Sequence, residues 1–508
     1  MTTIKPFAAG SYLTNRTASQ LTTLKSQLND LSTQLSSGLT AQTYGGLGSG
    51  RSTALSAQAT LSALTGYAAG ITAAQTRTNV AVTSLTQVAT LGIDARTTLN
   101  NGLQSTPVNA TAAKANALNN LQAALDTLNQ SVAGNYLFGG ENATTQPVLD
   151  ADTILNGNGT QIGLTKFVSD QVTADLGAKG NGRLNQTMPS ATQIQLLDDP
   201  SSRATVAPQG YALAKAVTAP TTSTAISATY TAGSTTTSAA VAISVTGQPS
   251  IGDSLTLTLQ LPDNTQTTVT LTAAASGTTP ASSNTSFAIG ADPTETAKNL
   301  NAALTSALSA SAGSTLTANS TARAASTFFS APNPTTTAAN TVVWYQGENG
   351  STDPLSTQSV QVSAGSSVQI GVRANQPAIS NVLAGLATVA LGMPNSSDPN
   401  AAALYSAISS QAQPLLSSAD TSPSASSTGA LPSVQDTVTQ LSLASTRLSN
   451  AATTNKATQN TLQNTLDGIE QAPTEEVVTK LLDVQNRLQA SYQVTASLSK
   501  LSLVNYIS

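Results

Sequence analysis

The chain contains no cysteine and no histidine in its 508 residues, and only 1 Trp and 3 Met. Without Cys there is neither a disulfide nor a thiolate nucleophile, and without His the commonest metal ligand and general base are gone. A zinc site, a Ser-His-Asp triad and Cys-protease chemistry are thereby excluded, which leaves only carboxylate chemistry to an enzyme. Charge is scarce too, at 9% of residues with a formal net charge of -4. No basic run occurs, so the clustered cations that nucleic-acid binding requires are missing. Residues 1–13 hold no apolar stretch of secretory-signal length, and no segment approaches the ~18 apolar residues of a membrane helix. The expectation is a protein without membrane insertion that bypasses the general secretory route. Aromatics are 3% of the chain. Any core must therefore be thin, a helix seam or a sheet face, and the length implies several domains.

What is present is periodicity at the two ends. Leu21, Leu24, Leu28, Leu31 and Leu35 alternate steps of three and four, the a/d pattern of a heptad. Gly38 stands where a left-handed residue would end that helix. A second helix is expected over about 51–99, with Leu61, Leu64, Ala68, Ile71, Val82 and Leu85 on one stripe diluted by Gln75 and Thr78. A third follows Pro107 with Leu118, Leu121, Leu125, Leu128 and Val132. Near the other end Val434, Val438, Leu441, Leu448, Ala452, Leu462, Leu466 and Ile469 keep one register, with polar gaps at Ser445, Asn455 and Gln459. Pro473 interrupts, Thr474 is placed to cap, and Val477, Leu481, Val484 and Leu488 continue towards Leu498, Leu501, Leu503, Val504 and Ile507. One such stripe fits an ordinary packed helix. Five of them at the chain ends predict terminal helices that pair into a rod, with the middle of the chain inserted at its tip. Narrow seams of this kind are marginal alone and gain stability by packing, partly on neighbouring subunits.

Between about Gln146 and Gln376 the expected period is two. Leu255, Leu257, Leu259 and Leu261, a turn at Pro262-Asp263-Asn264, then Val269, Leu271 and Ala273 predict a hairpin with one solvated face. Phe287 and Ile289 suggest another strand. Asp292, Pro293 and Glu295 form a helix start ahead of Leu300, Ala303, Leu304 and Leu308. Residues 225–339 are thus expected to be a compact α+β insert bordered by linkers at 218–238 and 335–339. Beyond it, Val342-Val343-Trp344-Tyr345 reads as a strand. Val360 with Val362, and Val368, Ile370 and Val372, alternate as strands, and a helix with Ile379, Val382, Leu383, Leu386 and Val389 follows Pro377.

Several runs resemble the flagellin family. Residues 31–39, a Leu-rich helix ending at Ser-Gly, resemble its N-terminal motif. Residues 133–140 resemble the Tyr-Leu-Phe-Gly-Gly signature of hook–filament junction proteins, and 371–375 and 488–506 resemble other parts of the same proteins. The resemblance spans about 1–145 and 370–508. It implies a multidomain α+β fold of nested parts: 1–45 with 471–508 as axial terminal helices, 46–145 with 377–470 as a helical bundle, 146–224 with 340–376 as a β-rich outer domain, and 225–339 as an inserted module. It implies a structural subunit of the bacterial flagellum, with no catalysis and no cofactor. Export through the flagellar type III apparatus to an extracellular location follows from it, as do partners comprising further copies of the chain, hook-associated proteins, flagellin and an export chaperone. Residues 87–91 lack the Arg and Glu of the stretch by which innate receptors read filament flagellins, and the insert makes the chain larger than a typical junction protein.

Three classes of function compete on these observations. The axial polymer, as junction protein or alternatively as filament flagellin, accounts for the paired ends, the low charge and the motifs. A phage-tail or adhesin fibre shares the coiled coils and Thr/Ser-rich β modules but rarely carries matching helices at both ends. A carboxylate enzyme would rest on Glu348 with Asp353 or on Asp292 with Glu295, and those pairs lie in a Gly/Asn turn and a helix cap. The expected assembly seam comprises Leu21, Leu24, Leu28, Leu31, Leu35, Leu118, Leu121, Leu125, Leu128, Leu462, Leu466, Leu481, Leu488, Leu498 and Leu501.

Overall fold

The structure, a computed structural model, describes residues 7–218, 224–277, 285–330, 340–395, 398, 400–420 and 431–507, without the side chains of 7–14, 216 and 498–507. It is 58% helix and 16% strand, so helices set the architecture. In chain order the elements are α1 (Phe7–Ser37), α2 (Arg51–Leu103), α3 (Ala110–Thr127), β1 (Ser131–Val132), β2 (Asn135–Tyr136), α4 (Ala151–Asn156), α5 (Leu164–Leu176), β3 (Asn185–Ser190), β4 (Gln193–Leu197), β5 (Ala212–Thr218), β6 (Ile226–Thr231), β7 (Ala240–Val245), β8 (Ser254–Gln260), β9 (Gln266–Ala274), β10 (Ser286–Ala288), α6 (Pro293–Ser311), α7 (Thr317–Ser330), β11 (Ser359–Ser363), β12 (Ser366–Gln369), α8 (Pro377–Gly392), α9 (Ala401–Leu416), α10 (Val434–Glu470) and α11 (Thr474–Ile507). They fall into two compact units. Unit 1 comprises Met1–Ala73, Gln361–Ser367 and Leu448–Ser508, and unit 2 comprises Ala74–Val360 and Val368–Arg447.

Unit 1 is built from helices. Gly38 ends α1 as its sequence position predicts: its φ is +70° and its N–H donates to the Gln34 carbonyl at 2.9 Å. The next residues cross to the start of α11, with Thr40 N–H on the Glu470 carbonyl at 2.7 Å and Ala472 N–H on the Gly38 carbonyl at 2.9 Å. The end of α1 is therefore tied to the beginning of α11, and the two helices pack antiparallel. The start of α2 packs on the end of α10, where Ala54, Ala57 and Leu466 are buried. Asn455, also buried, donates from Nδ2 to the Leu64 carbonyl at 3.2 Å while its Oδ1 has no partner.

Along α2 the inward positions run Ala54, Ala57, Leu61, Leu64, Ala68, Ile71, Ala74, Thr78, Ala81, Leu85. The steps alternate three and four except at Ala68–Ile71–Ala74, where two steps of three follow one another. A heptad seam shifts phase at such a point, and here that point coincides with the division between the units. The dilution expected at Gln75 is thus a change of face, with Ala74 as the inward residue.

Unit 2 has two cores. In the first, α8 is apolar all round and buried on every side, packed by α3, α7 and α9, as a helix without a polar face must be. Leu85, Val88 and Leu99 of α2 and Leu121, Leu125 and Leu128 of α3 and its cap belong to it. Phe167, Phe328, Phe329, Trp344 and Tyr345 stack in a chain with centroid separations of 5.3–6.3 Å. Val342–Tyr345, expected as a strand, forms only an isolated bridge, Tyr345 with Val148, next to that of Thr341 with Ile162. Here the apolar run inserts between helices, and burial rather than a ladder explains its composition. Likewise 146–184 holds α4 and α5 where period two was expected.

The second core spans Leu184 to Leu316 and is enclosed by two four-stranded sheets, ordered β3-β4-β7-β6 and β10-β9-β8-β5, with α6 packed on both. The predicted hairpin is present as β8 and β9, with Leu255 opposite Leu271 and Leu257 opposite Val269. Asp292 caps α6 through Glu295 N–H at 2.8 Å, and Glu295 Oε2 returns to Ala291 N–H at 2.6 Å. The border expected at 225 does not hold, because β7 pairs with β4 and β8 with β5 across it. The linker expected at 218–238 contains β6, and the one at 335–339 lies outside the described residues. A single π turn, Ala312–Leu316, joins α6 to α7, so one continuous helix passes from the sheet core to the helical core. Beside it Asp175, fully buried, accepts from Ser320 Oγ at 2.6 Å, Arg323 at 3.0 Å and Gly210 N–H at 3.2 Å.

Candidate assembly surface

The fifteen residues expected to form one seam separate into two classes. Leu121, Leu125 and Leu128 are fully buried in the helical core of unit 2, with Leu118 packed against them. These four belong to a core that the chain closes on its own, and that corrects their assignment to an assembly seam. The terminal residues behave differently. Leu21, Leu24, Leu28 and Leu31 of α1 and Leu481 and Leu488 of α11 are only half-buried, although the two helices face one another. On the α2–α10 pair Leu466 is buried and Leu462 half-buried. Leu35 points outward at 39% exposure because the seam steps from Leu31 to Gln34, whose Nε2 donates to the Thr40 carbonyl at 2.9 Å. The side chains of Leu498 and Leu501 lie outside the described residues.

The outer faces of the same helices carry further apolar side chains. Val478, Leu482, Tyr492 and Val494 of α11 are exposed, Leu482 and Val494 by more than half, and Leu39, Tyr44 and Leu55 accompany them in unit 1. The exposed i,i+4 pairs Glu476–Lys480 at 2.6 Å and Asp483–Arg487 at 3.1 Å share the α11 surface. The Lys480 contact holds the Glu476 carboxyl below its ordinary pKa. Solvent-screened pairs of this kind contribute little to holding the helix in place.

Two of the runs noted in the sequence come together in unit 2. Gly139 bridges Arg373 antiparallel, Ala374 N–H donates to the Phe138 carbonyl at 3.0 Å, and Gly140 N–H donates to the Val372 carbonyl at 3.3 Å. Gly140 has φ +65°, and a Cβ there would meet Glu348 Oε2 at 2.7 Å, so the position requires glycine on both counts. Arg373, almost wholly buried, pairs with Glu348 at 3.2 Å and donates to the carbonyls of Gly350 and Thr352 at 2.7 and 2.6 Å. Tyr345 OH reaches the Phe138 carbonyl at 3.3 Å, and burial raises its pKa.

The carboxylates weighed as acid pairs each have a structural partner. Glu348 pairs with Arg373, Asp353 caps the turn at Leu355 N–H at 3.1 Å, and Asp292 and Glu295 cap α6. Among the described residues no cluster of acidic side chains could hold a metal ion, and no helix is long and apolar enough to cross a membrane. The chain matches no family model, no curated protein and no solved structure.

Proposed function

We propose that this chain is a structural subunit of a flagellin-type axial polymer, assembling through the helices of unit 1, and that it serves at the junction between hook and filament. The observation that carries the reading is the half-burial of the α1 and α11 leucine rows, set beside apolar side chains left on the outer face of α11. Helices with seams this thin are marginal in water, and neighbouring copies supply the missing cover. The meeting of residues 136–140 with 371–375 adds support, since both runs carry the family resemblance and they form one packed feature. On this reading the terminal helices form the axial rod, and the partners are further copies, other axial proteins and an export chaperone. The location is extracellular after export by the flagellar apparatus, and the chain is neither an enzyme nor a cofactor carrier.

Trypsin provides the test, because Arg16, Lys25, Lys480 and Arg487 are exposed on α1 and α11. Cleavage at these sites should be fast in the monomer and suppressed in the polymer, with unit 2 intact in both. Resistance at both ends of a verified monomer would remove the argument. Loss of the encoding gene should leave hooks without filaments; hooks bearing short filaments would instead indicate the filament subunit.

A further inference from the structure

Helix α11 has two flanks of opposite character. Its inward row, Val477, Leu481, Val484, Leu488, Ser491 and Thr495, is buried or half-buried on the α1 side. One residue before the first four of these stand Glu476, Lys480, Asp483 and Arg487, turned about 100° to one side and paired with one another at i,i+4. The last two places on that side hold Ala490 and Val494. One residue after each of the six stand Val478, Leu482, Gln485, Gln489, Tyr492 and Ala496, turned as far to the other side. All six of this second row are exposed and none is charged. Its steps of four, three, four, three and four are those of a packing seam. Helix α1 has no such row. Beside Leu21, Leu24, Leu28 and Leu31 the preceding residues are Gln20, Thr23, Gln27 and Asp30, and the following ones Thr22, Lys25, Asn29 and Ser32, all polar and exposed.

The second row fits poorly to most partners. An acidic or basic peptide would find no counter-charge in it. A membrane interface calls for Lys and Arg beside a broad apolar face, and two glutamines at the centre of this row interrupt its apolar surface. It does fit itself. Reversed about Arg487, the row falls on its own spacing: Val478 comes opposite Ala496, Leu482 opposite Tyr492, and Gln485 opposite Gln489. A smaller side chain then faces a larger one at each apolar step, and each central amide offers both a donor and an acceptor to the other. Antiparallel pairing also sets the two helix dipoles against one another and leaves both charged flanks in water. Parallel pairing in register would instead press Tyr492 on Tyr492 and leave Ala496 facing Ala496.

We infer that two copies of this chain pair antiparallel through the second row of α11, as a two-fold dimer in which Gln485 of each lies against Gln489 of the other. The contact runs from Val478 to Ala496, about 27 Å of helix. A single helix pair of that length buries less than a permanent interface, so the dimer is a weak one, with a dissociation constant on the order of 10–100 μM. A two-fold contact closes at two copies, which takes the inference beyond the axial reading. Its failure would leave the half-buried leucine rows of α1 and α11 as they are.

The test is sedimentation velocity of the full chain from about 1 μM to about 1 mM, where monomer should give way to dimer. Leu482→Asp places a carboxylate at an exposed position of the monomer and should weaken the dimer about tenfold or more, with the circular dichroism spectrum unchanged. Ser32→Asp, on the flank of α1, should leave the dimer as it is. The chain has no cysteine, so single-cysteine variants report the pairing directly. Gln485→Cys chains mixed with Gln489→Cys chains should form a mixed disulfide faster than either forms one with itself. Monomer throughout the range, or a dimer untouched by Leu482→Asp, would overturn the proposal and give the row to a partner of another kind. Faster disulfides between identical chains would overturn the antiparallel pairing.

Discussion

Leu28 and Leu121 occupy the same kind of position in the same kind of heptad, yet one is half-exposed in unit 1 and the other fully buried in unit 2. The difference lies in what stands opposite. Leu121 belongs to α3, which packs on α8, a helix with apolar residues on every side, whereas Leu28 belongs to α1, which packs on α11, where the inward residues are the narrow stripe of Val477, Leu481 and Val484. Periodicity therefore reports that a helix has an inward face, and the composition of its partner decides whether one chain can close that face. Unit 2 closes its own cores; unit 1 leaves its seam partly open.

The strongest way to break this comparison is to place the same charge at both positions. Leu121→Asp buries an unpaired carboxylate at a cost of roughly several kcal/mol, a large part of the ~5–15 kcal/mol that holds an ordinary domain folded. The expected result is an insoluble or unfolded unit 2. Leu28→Asp should leave the monomer's melting temperature nearly unchanged while abolishing polymer in sedimentation assays. A Leu28→Asp protein that still polymerises would show that the α1 row is no assembly seam.

A somewhat smaller effect is expected from Asp175→Ala, which strands Arg323 without its buried partner. Breaking such a pair costs about 3–5 kcal/mol, read as a shifted urea midpoint for unit 2 with tryptic cleavage at Arg16 and Lys480 unaltered. If Asp175→Leu combined with Arg323→Met were as unstable as Asp175→Ala, the ion pair would not be the cause.

The smallest effect belongs to unit 1 and has the opposite sign. Asn455→Leu removes an unpaired buried carbonyl oxygen from the α2–α10 seam along with one hydrogen bond to Leu64. A gain of about 1 kcal/mol is expected, visible as slower amide exchange in both helices, together with looser register because a seam Asn restricts pairing. Lower stability in Asn455→Leu would mean that the Leu64 bond outweighs the orphaned oxygen.

Local features were legible before any coordinates. Gly38, the Asp292–Glu295 cap and the β8–β9 register depend on residues a few positions apart, and each stands where its pattern places it. Pairings across long stretches were not legible. Nothing in residues 193–197 announces that they will lie beside 240–245, so the border expected at 225 cuts through both sheets. Helix α5 leaves a weak periodic signal because buried Asp175 interrupts its apolar row, and α9 because its row of Tyr405, Ile408 and Ala412 is short and mixed. The division of the leucine seam was illegible for the same reason, since a stripe does not name its partner.

The π turn at Ala312–Leu316 has a consequence for orientation. The Thr317 N–H reaches back to the Ala312 carbonyl, five residues away, so this turn contains one residue more than an α-helical turn. Each residue of an α-helix advances the azimuth by about 100°. Deleting Gly313, where an added Cβ would meet only Asn400 Nδ2 at 4.0 Å, would restore regular winding and swing Leu300, Leu304 and Leu308 by about that angle relative to Phe328 and Phe329. Those leucines seat the two sheets, while the phenylalanines seat the aromatic chain. A single supernumerary residue thus sets the direction in which the sheet half of unit 2 faces, and a change in helix phase there would re-aim that half while pulling Leu316 out of register with Leu300, Leu304 and Leu308 in the sheet core.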